Sequence, residues 1–269
     1  MLNKKLDFNN KTVLITGGAS GFGFELVKLF LFDGANVIFT TRKQKSAEDA
    51  ISKIPVSKQN NISYYIVDLK EKPEIESFIL NLDKDFPNGI DVLINNAVSI
   101  VVGKFEKLGY DDLLSTLNVN LVSPYLLSNF VLKKMKQKQN GVIVNILSNV
   151  ANIGLPYLTL YSIGKSSLRS MSDCMSIECK QDNISVISVY PGPMDTGYEK
   201  NQKLIDLDES PYEHRKKISS EIAANNIFQK IKNGNMMIES SSKSKLFQIL
   251  QLLSFNYAFK LKTKYLKKI

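Results

Sequence analysis

Six short runs of almost unbroken apolar sequence, rich in valine and isoleucine, recur along the chain: TVLIT (12–16), NVIFT (36–40), ISYYIV (62–67), DVLIN (91–95), GVIVNI (141–146) and ISVISVY (184–190). A strand with one wet face alternates polar and apolar residues. These runs do not, so each is predicted to be buried on both faces, as in a parallel sheet. Between them lie segments of helical spacing near 21–33, 46–54, 73–86, 110–139 and 160–181. The alternation predicts a doubly wound parallel α/β sheet of Rossmann type with right-handed crossovers. Ligands of such sheets bind beyond the carboxyl ends of the strands, so function is expected just after each run.

A chain of 269 residues suffices for one sizeable core, and no linker or repeat divides it. With 43% apolar and 23% charged residues and no run of twenty apolar positions, neither disorder nor a spanning helix is expected. The net charge of +9 is concentrated at one end. After Glu239 there is no acidic residue, while Lys243, Lys245, Lys260, Lys262, Lys264, Lys267 and Lys268 follow. We therefore divide the chain into an α/β domain, 1–239, and a basic amphipathic extension, 240–269. Residues 243–269 fit a peripheral membrane contact, or a helix packed on the domain or on a second subunit. Nucleic-acid binding is not expected, because no recognition motif accompanies the charge. The N-terminal residues lack the apolar segment and cleavage site of a secretory signal, so a cytoplasmic protein, peripheral to a membrane at most, is expected. Cys174 and Cys179 lie five positions apart on a predicted helix and read as reduced packing residues. No metal site is expected.

The first run ends in TGGASGFG, Thr16 to Gly23, and a helix pattern follows at once. Gly17, Gly21 and Gly23 permit a tight turn, close approach of backbone to a pyrophosphate and close helix packing, with Ser20 and Phe22 in the same turn. The second run ends in Thr41 and Arg42, where an NAD-binding chain would place an acid. A cation there suits a 2′-phosphate, which favours NADP(H) over NAD(H). Asp68 and Leu69 close the third run as adenine neighbours. Asn95, Asn96 and Ala97, after the fourth, would form the floor beneath the cofactor.

Tyr161 and Lys165 sit one helical turn apart, a spacing expected about once by chance in a chain with 11 Tyr and 35 Lys plus Arg. A second copy, Tyr212 and Lys216, reads as surface. What singles out the first is the ordered set around it: the Gly-rich turn, Asp68, NNA, Asn120, Ser148 thirteen residues before Tyr161, and Pro191–Gly192 with Thr196 four residues on. In these elements, across roughly residues 8–235, the chain resembles the short-chain dehydrogenase/reductase family, in its main branch of about 250 residues. The resemblance implies Asn120, Ser148, Tyr161 and Lys165 as catalytic groups, and Ser148, Val150 and Tyr161 as substrate contacts. It also implies cofactor contacts at Thr16, Gly17, Ser20, Gly21, Phe22, Gly23, Thr41, Arg42, Asp68, Leu69, Asn96, Ala97, Tyr161, Lys165, Pro191, Gly192 and Thr196.

The physics is consistent with that assignment. Positions i and i+4 share a helix face, so the Lys165 ammonium can sit near the Tyr161 phenol. A unit charge about 4 Å away at an effective dielectric of about 20 is worth roughly 4 kcal/mol, or about three pK units. That would bring a phenol near neutrality without a histidine. Ser148 would hold the substrate oxygen. Pro124 has no N–H for the Asn120 carbonyl, so the helix is expected to bend there, either freeing that carbonyl for a relay water or merely easing packing. The chain departs from the family at Val98, where glycine is usual, which narrows the pocket or makes it more apolar.

Ile100, Val101, Val150, Ile153, Leu155 and Tyr157 suggest an apolar pocket with few anchors for charge, covered by a lid at 194–214. The expectation is a homo-oligomeric NADP(H)-dependent oxidoreductase acting on a hydrophobic carbonyl or secondary alcohol. The alternative is a catalytically silent dinucleotide-binding regulator or membrane-associated interaction protein.

Overall fold

The structure, a computed structural model, describes residues 5–197 and 202–239. In chain order the first half runs β1 (Thr12–Ile15), α1 (Gly21–Phe32), β2 (Asn36–Thr41), α2 (Gln44–Ile51), β3 (Ile62–Ile66), α3 (Lys72–Asp85) and β4 (Val92–Asn95). Then come β5 (Val101–Val102), α4 (Tyr110–Leu117), α5 (Ser123–Lys138), β6 (Gly141–Ile146), α6 (Thr159–Glu178) and β7 (Ile184–Tyr190). The last elements are β8 (Met194–Asp195), β9 (Lys203–Leu204), β10 (Ile218–Ser219), α7 (Ser220–Lys232) and β11 (Met237–Glu239).

Seven strands form one parallel sheet in the order β11-β7-β6-β4-β1-β2-β3. Burial follows the sequence pattern. Every residue of β4 and β6 is buried, whereas the edge strand β3 exposes Ser63 and Ile66. One face is covered by apolar residues of α1, α2 and α7, the other by those of α3, α5 and α6. The chain runs outward from β1 through β2 to β3, returns to β4 on the other side of β1, and continues outward. A crevice therefore opens between the ends of β1 and β4, the topological switch point. Ile15 is in register with Ile94, which brings the glycine turn alongside the NNA run.

Three elements differ from the sequence reading. The seventh strand, β11, was not expected: three residues carry too little periodicity to be read, and the strand exists because β7 offers a pairing edge. The single helix expected over 110–139 is two helices joined by a π-helical turn, Asn118–Val122, in which the Ser123 N–H donates to the Asn118 carbonyl. The widened turn lies just before Pro124, which stands in the first turn of α5. The break thus precedes the proline. The third difference is the expected lid. In its described part it is stitched to the domain, β8 pairing with β10 and β9 with β5. Glu199 and the basic extension 240–269 lie outside the described residues.

Candidate active site

The glycine turn is built by close approach. Gly17 and Gly21 have φ of +66° and +53°, left-handed values that glycine adopts without strain. A Cβ on Gly23 would lie 2.3 Å from the Gly17 carbonyl oxygen and 2.5 Å from Asn96 Nδ2, so only glycine lets α1 start against the end of β4. Gly18, which the sequence reading passed over, is equally constrained, since its Cβ would fall 2.6 Å from that of Phe39. Thr16 is buried behind this turn and does not face the cleft. Its Oγ1 accepts from the N–H groups of Asn96 and Ala97, both at 3.0 Å, while Asn96 Nδ2 donates to the Thr16 carbonyl at 2.8 Å. Thr16 therefore braces the two walls of the crevice.

Several features of this end fit an anionic dinucleotide. Ser20 caps α1 without a side-chain bond, and the first turn of α1 contains no acid. The first-turn N–H groups of a helix lack intrahelical partners and favour negative charge. Thr41, Arg42 and Lys43 stand at the end of β2, with Asp68, Leu69 and Lys70 at the end of β3. Asp68 Oδ1 accepts from the Lys70 N–H at 3.0 Å, holding that turn. Asn95 is not part of the floor. Its amide lies in the core, donating to Asn145 Oδ1 at 2.7 Å and Ser128 Oγ at 3.3 Å.

The other half of the cleft is carried by β6 and α6. Ser148 follows β6, its Oγ accepting from the Val150 N–H at 3.4 Å. Tyr161 and Lys165 lie on the first turns of α6. Lys165 is 2% exposed and donates to the Ile146 carbonyl at 2.7 Å, with Nζ 5.9 Å from the centre of the Tyr161 ring. Burial pushes its pKa down to about 7, because a charged amine loses hydration there. The helix is keyed to the sheet by Asn145, whose Nδ2 donates to Ser172 Oγ at 2.7 Å. Asn120 is fully buried. Its Oδ1 accepts from the Ser99 N–H at 2.9 Å and its Nδ2 donates to the Ser99 carbonyl at 2.7 Å. It thus clamps the segment that leaves β4. Gly164 permits the approach of α6, since a Cβ there would lie 2.9 Å from that of Asn120.

Apart from Thr16 and Asn120, every site residue expected from the sequence lines one cleft of about 1230 Å³. Val98 lines it too. Tyr161 packs in an apolar cluster with Val102, Val150, Leu155, Tyr157 and Leu158. Tyr212, expected at the surface, belongs to the same cluster, its hydroxyl donating to the Pro156 carbonyl at 2.8 Å. Lys216 is exposed, as expected. Sequence reasoning missed Asp112, Lys203, Tyr212, Arg215 and Lys217, which also line the cleft. Asp112 and Lys203 form an ion pair at 2.6 Å, which holds the carboxyl below its usual range. No local pattern marks these residues: Asp112 lies on α4, and the others belong to a strap, the described part of residues 194–219, that reaches the cleft through the β5–β9 and β8–β10 pairings.

Among the described residues no group of histidine, cysteine and acidic side chains is suited to hold a metal ion. Both cysteines are free thiols, Cys174 exposed and Cys179 buried. No described helix is long and apolar enough to cross a membrane.

Residues 11–204 match the family model described as short chain dehydrogenase. A 3-oxoacyl-acyl-carrier-protein reductase of Chlamydia trachomatis is 30% identical over 192 residues, 71% of this chain and 77% of that protein. A short-chain dehydrogenase from Streptomyces avermitilis superimposes with a TM-score of 0.79 at 20% identity, covering 98% of this chain and 99% of that one. The protein ElxO, solved with NADP bound, superimposes with a TM-score of 0.70 at 26% identity, covering 86% of this chain and 96% of its own.

Proposed function

The chain belongs to the short chain dehydrogenase family, and from that premise we propose that it is an NADP(H)-dependent oxidoreductase acting on a hydrophobic carbonyl or secondary alcohol. The observation that carries the reading is the convergence of Ser148, Tyr161 and Lys165 on the cleft that the glycine turn opens. Arg42 and Lys43 would hold a 2′-phosphate, the α1 N-terminus the pyrophosphate, and Asp68 and Leu69 the adenine. Pro191, Gly192 and Thr196 would flank the nicotinamide end. The bound nicotinamide would supply or accept the hydride. Ser148 Oγ would donate to the substrate oxygen, and Tyr161 Oη would give a proton to that oxygen in reduction and take it back in oxidation. A proton on Lys165 Nζ favours the ionised phenol, and an anion bound in the cleft favours that proton. Asn120 acts through position, securing Ser99 and the wall behind Lys165. NADP preference is supported by Arg42 and by the NADP held in ElxO.

Tyr161→Phe keeps the ring and removes the hydroxyl. Turnover of medium-chain ketones and secondary alcohols, followed by nicotinamide absorbance, is expected to fall by about a hundredfold or more, with NADPH affinity retained. Undiminished turnover would remove Tyr161 from the chemistry. Arg42→Ala is expected to cut the preference for NADPH over NADH by about tenfold, the scale of one hydrogen bond to a charged group. Tighter NADH binding by the wild type would reverse the cofactor assignment.

A further inference from the structure

The strap leaves β7 but is fastened elsewhere. Pro191, Gly192 and Met194 follow that strand along the cleft, and Thr196 stands against the glycine turn, where a Cβ on Gly21 would lie 2.9 Å from the Thr196 carbonyl oxygen. Farther on, β9 pairs with β5. The Lys203 N–H donates to the Ile100 carbonyl at 3.2 Å and the Ile205 N–H to the Val102 carbonyl at 2.9 Å. The glycine turn follows β1 and β5 follows β4, while β6 lies between β7 and β4 in the sheet. The described strap residues therefore reach from the end of β7 to the ends of β1 and β4, across that of β6, from which Ser148 continues. They wall the cleft that a bound dinucleotide would occupy.

A two-residue pairing is marginal by itself, and side chains reinforce it. Leu204, Leu207 and Tyr212 pack in the apolar cluster. Lys107 and Asp206 meet at 3.2 Å with both side chains more than half exposed, a setting in which an ion pair adds little. Asp112 and Lys203 differ. They meet at 2.6 Å, both line the cleft, and the acid side chain is only 11% exposed. Asp112 is also fixed from its own side, in the first turn of α4, where its Oδ2 accepts from the Gly109 N–H at 3.2 Å while Oδ1 accepts from Lys203. A charge-assisted bond to an acid held in this way is strong. Yet the lysine side chain, 63% exposed, can release into water without unfolding the domain.

We propose that Asp112 is a positioning residue: by holding Lys203 it latches the strap over the bound dinucleotide and sets how fast the dinucleotide leaves. This rests on the oxidoreductase reading and adds a step to it. Each turnover converts one form of the nicotinamide into the other, so the spent dinucleotide must be exchanged once per cycle, and the strap must open for it.

The test uses the full chain, with NADPH release followed by stopped-flow fluorescence on displacement by excess NADP⁺. Asp112→Asn can still accept from the Gly109 N–H but carries no charge. It and Lys203→Met are each expected to speed release by about fivefold to tenfold, the scale of one charge-assisted bond with a partly exposed partner. The double variant is expected to match the single ones, since all three lack the same bond, and Asp112→Glu, which keeps the charge, to release more slowly than Asp112→Asn. At about 0.5 M salt the gap between wild type and variants is expected to narrow, because the pair is open to solvent on the lysine side. A second readout needs no cofactor: tryptic cleavage after Arg215, Lys216 or Lys217 in the free protein is expected to be faster in both single variants. Release no faster than that of the wild type overturns the proposal, as do additive effects in the double variant. Faster release in Asp112→Asn without a change in Lys203→Met also overturns it and assigns Asp112 to capping α4. Should the wild type bind no NADPH, the oxidoreductase reading fails and the latch is judged by trypsin alone, equal cleavage of wild type and variants overturning it.

Discussion

Lys165 illustrates how much a single position depends on its surroundings. Its place one turn after Tyr161 is legible in the sequence, but its pKa of about 7 comes from burial against the end of β6. Unfolded, the amine returns to its ordinary value of 10.5. Between pH 7 and 10.5 the unfolded chain therefore binds a proton that the folded chain has released, and stability rises with pH across that window. Below pH 7 both states are protonated and the burial penalty is fully present. The slope approaches about 1.4 kcal/mol per pH unit. Lys165→Met lacks this dependence, so its stability advantage over the wild type is expected to be largest at pH 7 and to shrink toward pH 9 in urea unfolding. A gap that stays constant with pH would show that the amine titrates normally. Asn120 and Thr16 teach the complementary lesson. Both are expected site residues, and the side chains of both bond backbone within the protein, since a short polar side chain can turn inward to backbone as readily as outward to a ligand.

At the scale of elements, α6 carries the reactive side chains, and its position is set from within the core. Asn145 on β6 accepts from Asn95 on β4 and donates to Ser172 on α6, linking two strands and the helix through buried polar groups. Leaving such partners unmade costs about 1–3 kcal/mol each. Asn145→Ala is expected to lower stability by about 2 kcal/mol, and its effect and that of Ser172→Ala should not add, since each removes the same bond. Simple additivity in a double-mutant cycle by chemical denaturation would count against the link. The buried strands were legible because they pack on both faces and so read as continuous apolar runs. The strap was not legible as a wall of the site. The Asp112–Lys203 ion pair that helps hold it joins positions 91 residues apart, and local sequence contains no trace of such a distance.

Across the whole molecule, the face opposite α6 is closed by three aromatic rings from distant parts of the chain. Phe8, Phe30 of α1 and Phe228 of α7 are all buried, with ring centres 4.9 Å apart for Phe8–Phe30 and for Phe30–Phe228. They tie the segment before β1 to α7, the last described helix, and thereby support the helix whose N-terminus would hold the pyrophosphate. Phe228→Ala is expected to cost about 3–5 kcal/mol, seen as a lower midpoint of a single thermal transition. Separate melting of the C-terminal part would mean that it folds as its own unit. The sequence by itself determined the parallel sheet and the glycine turn at its switch point, because burial on both strand faces and close backbone approach each leave a local pattern; the candidate catalytic residues came from the resemblance carried by the ordered set of motifs. Only the tertiary structure decided which polar groups line the cleft and which brace it, the lowered pKa of Lys165, and the arrival of Tyr212 beside Tyr161. Those outcomes depend on desolvation and on contacts between segments far apart in the chain, and such contacts exist only once the sheet has brought the segments together.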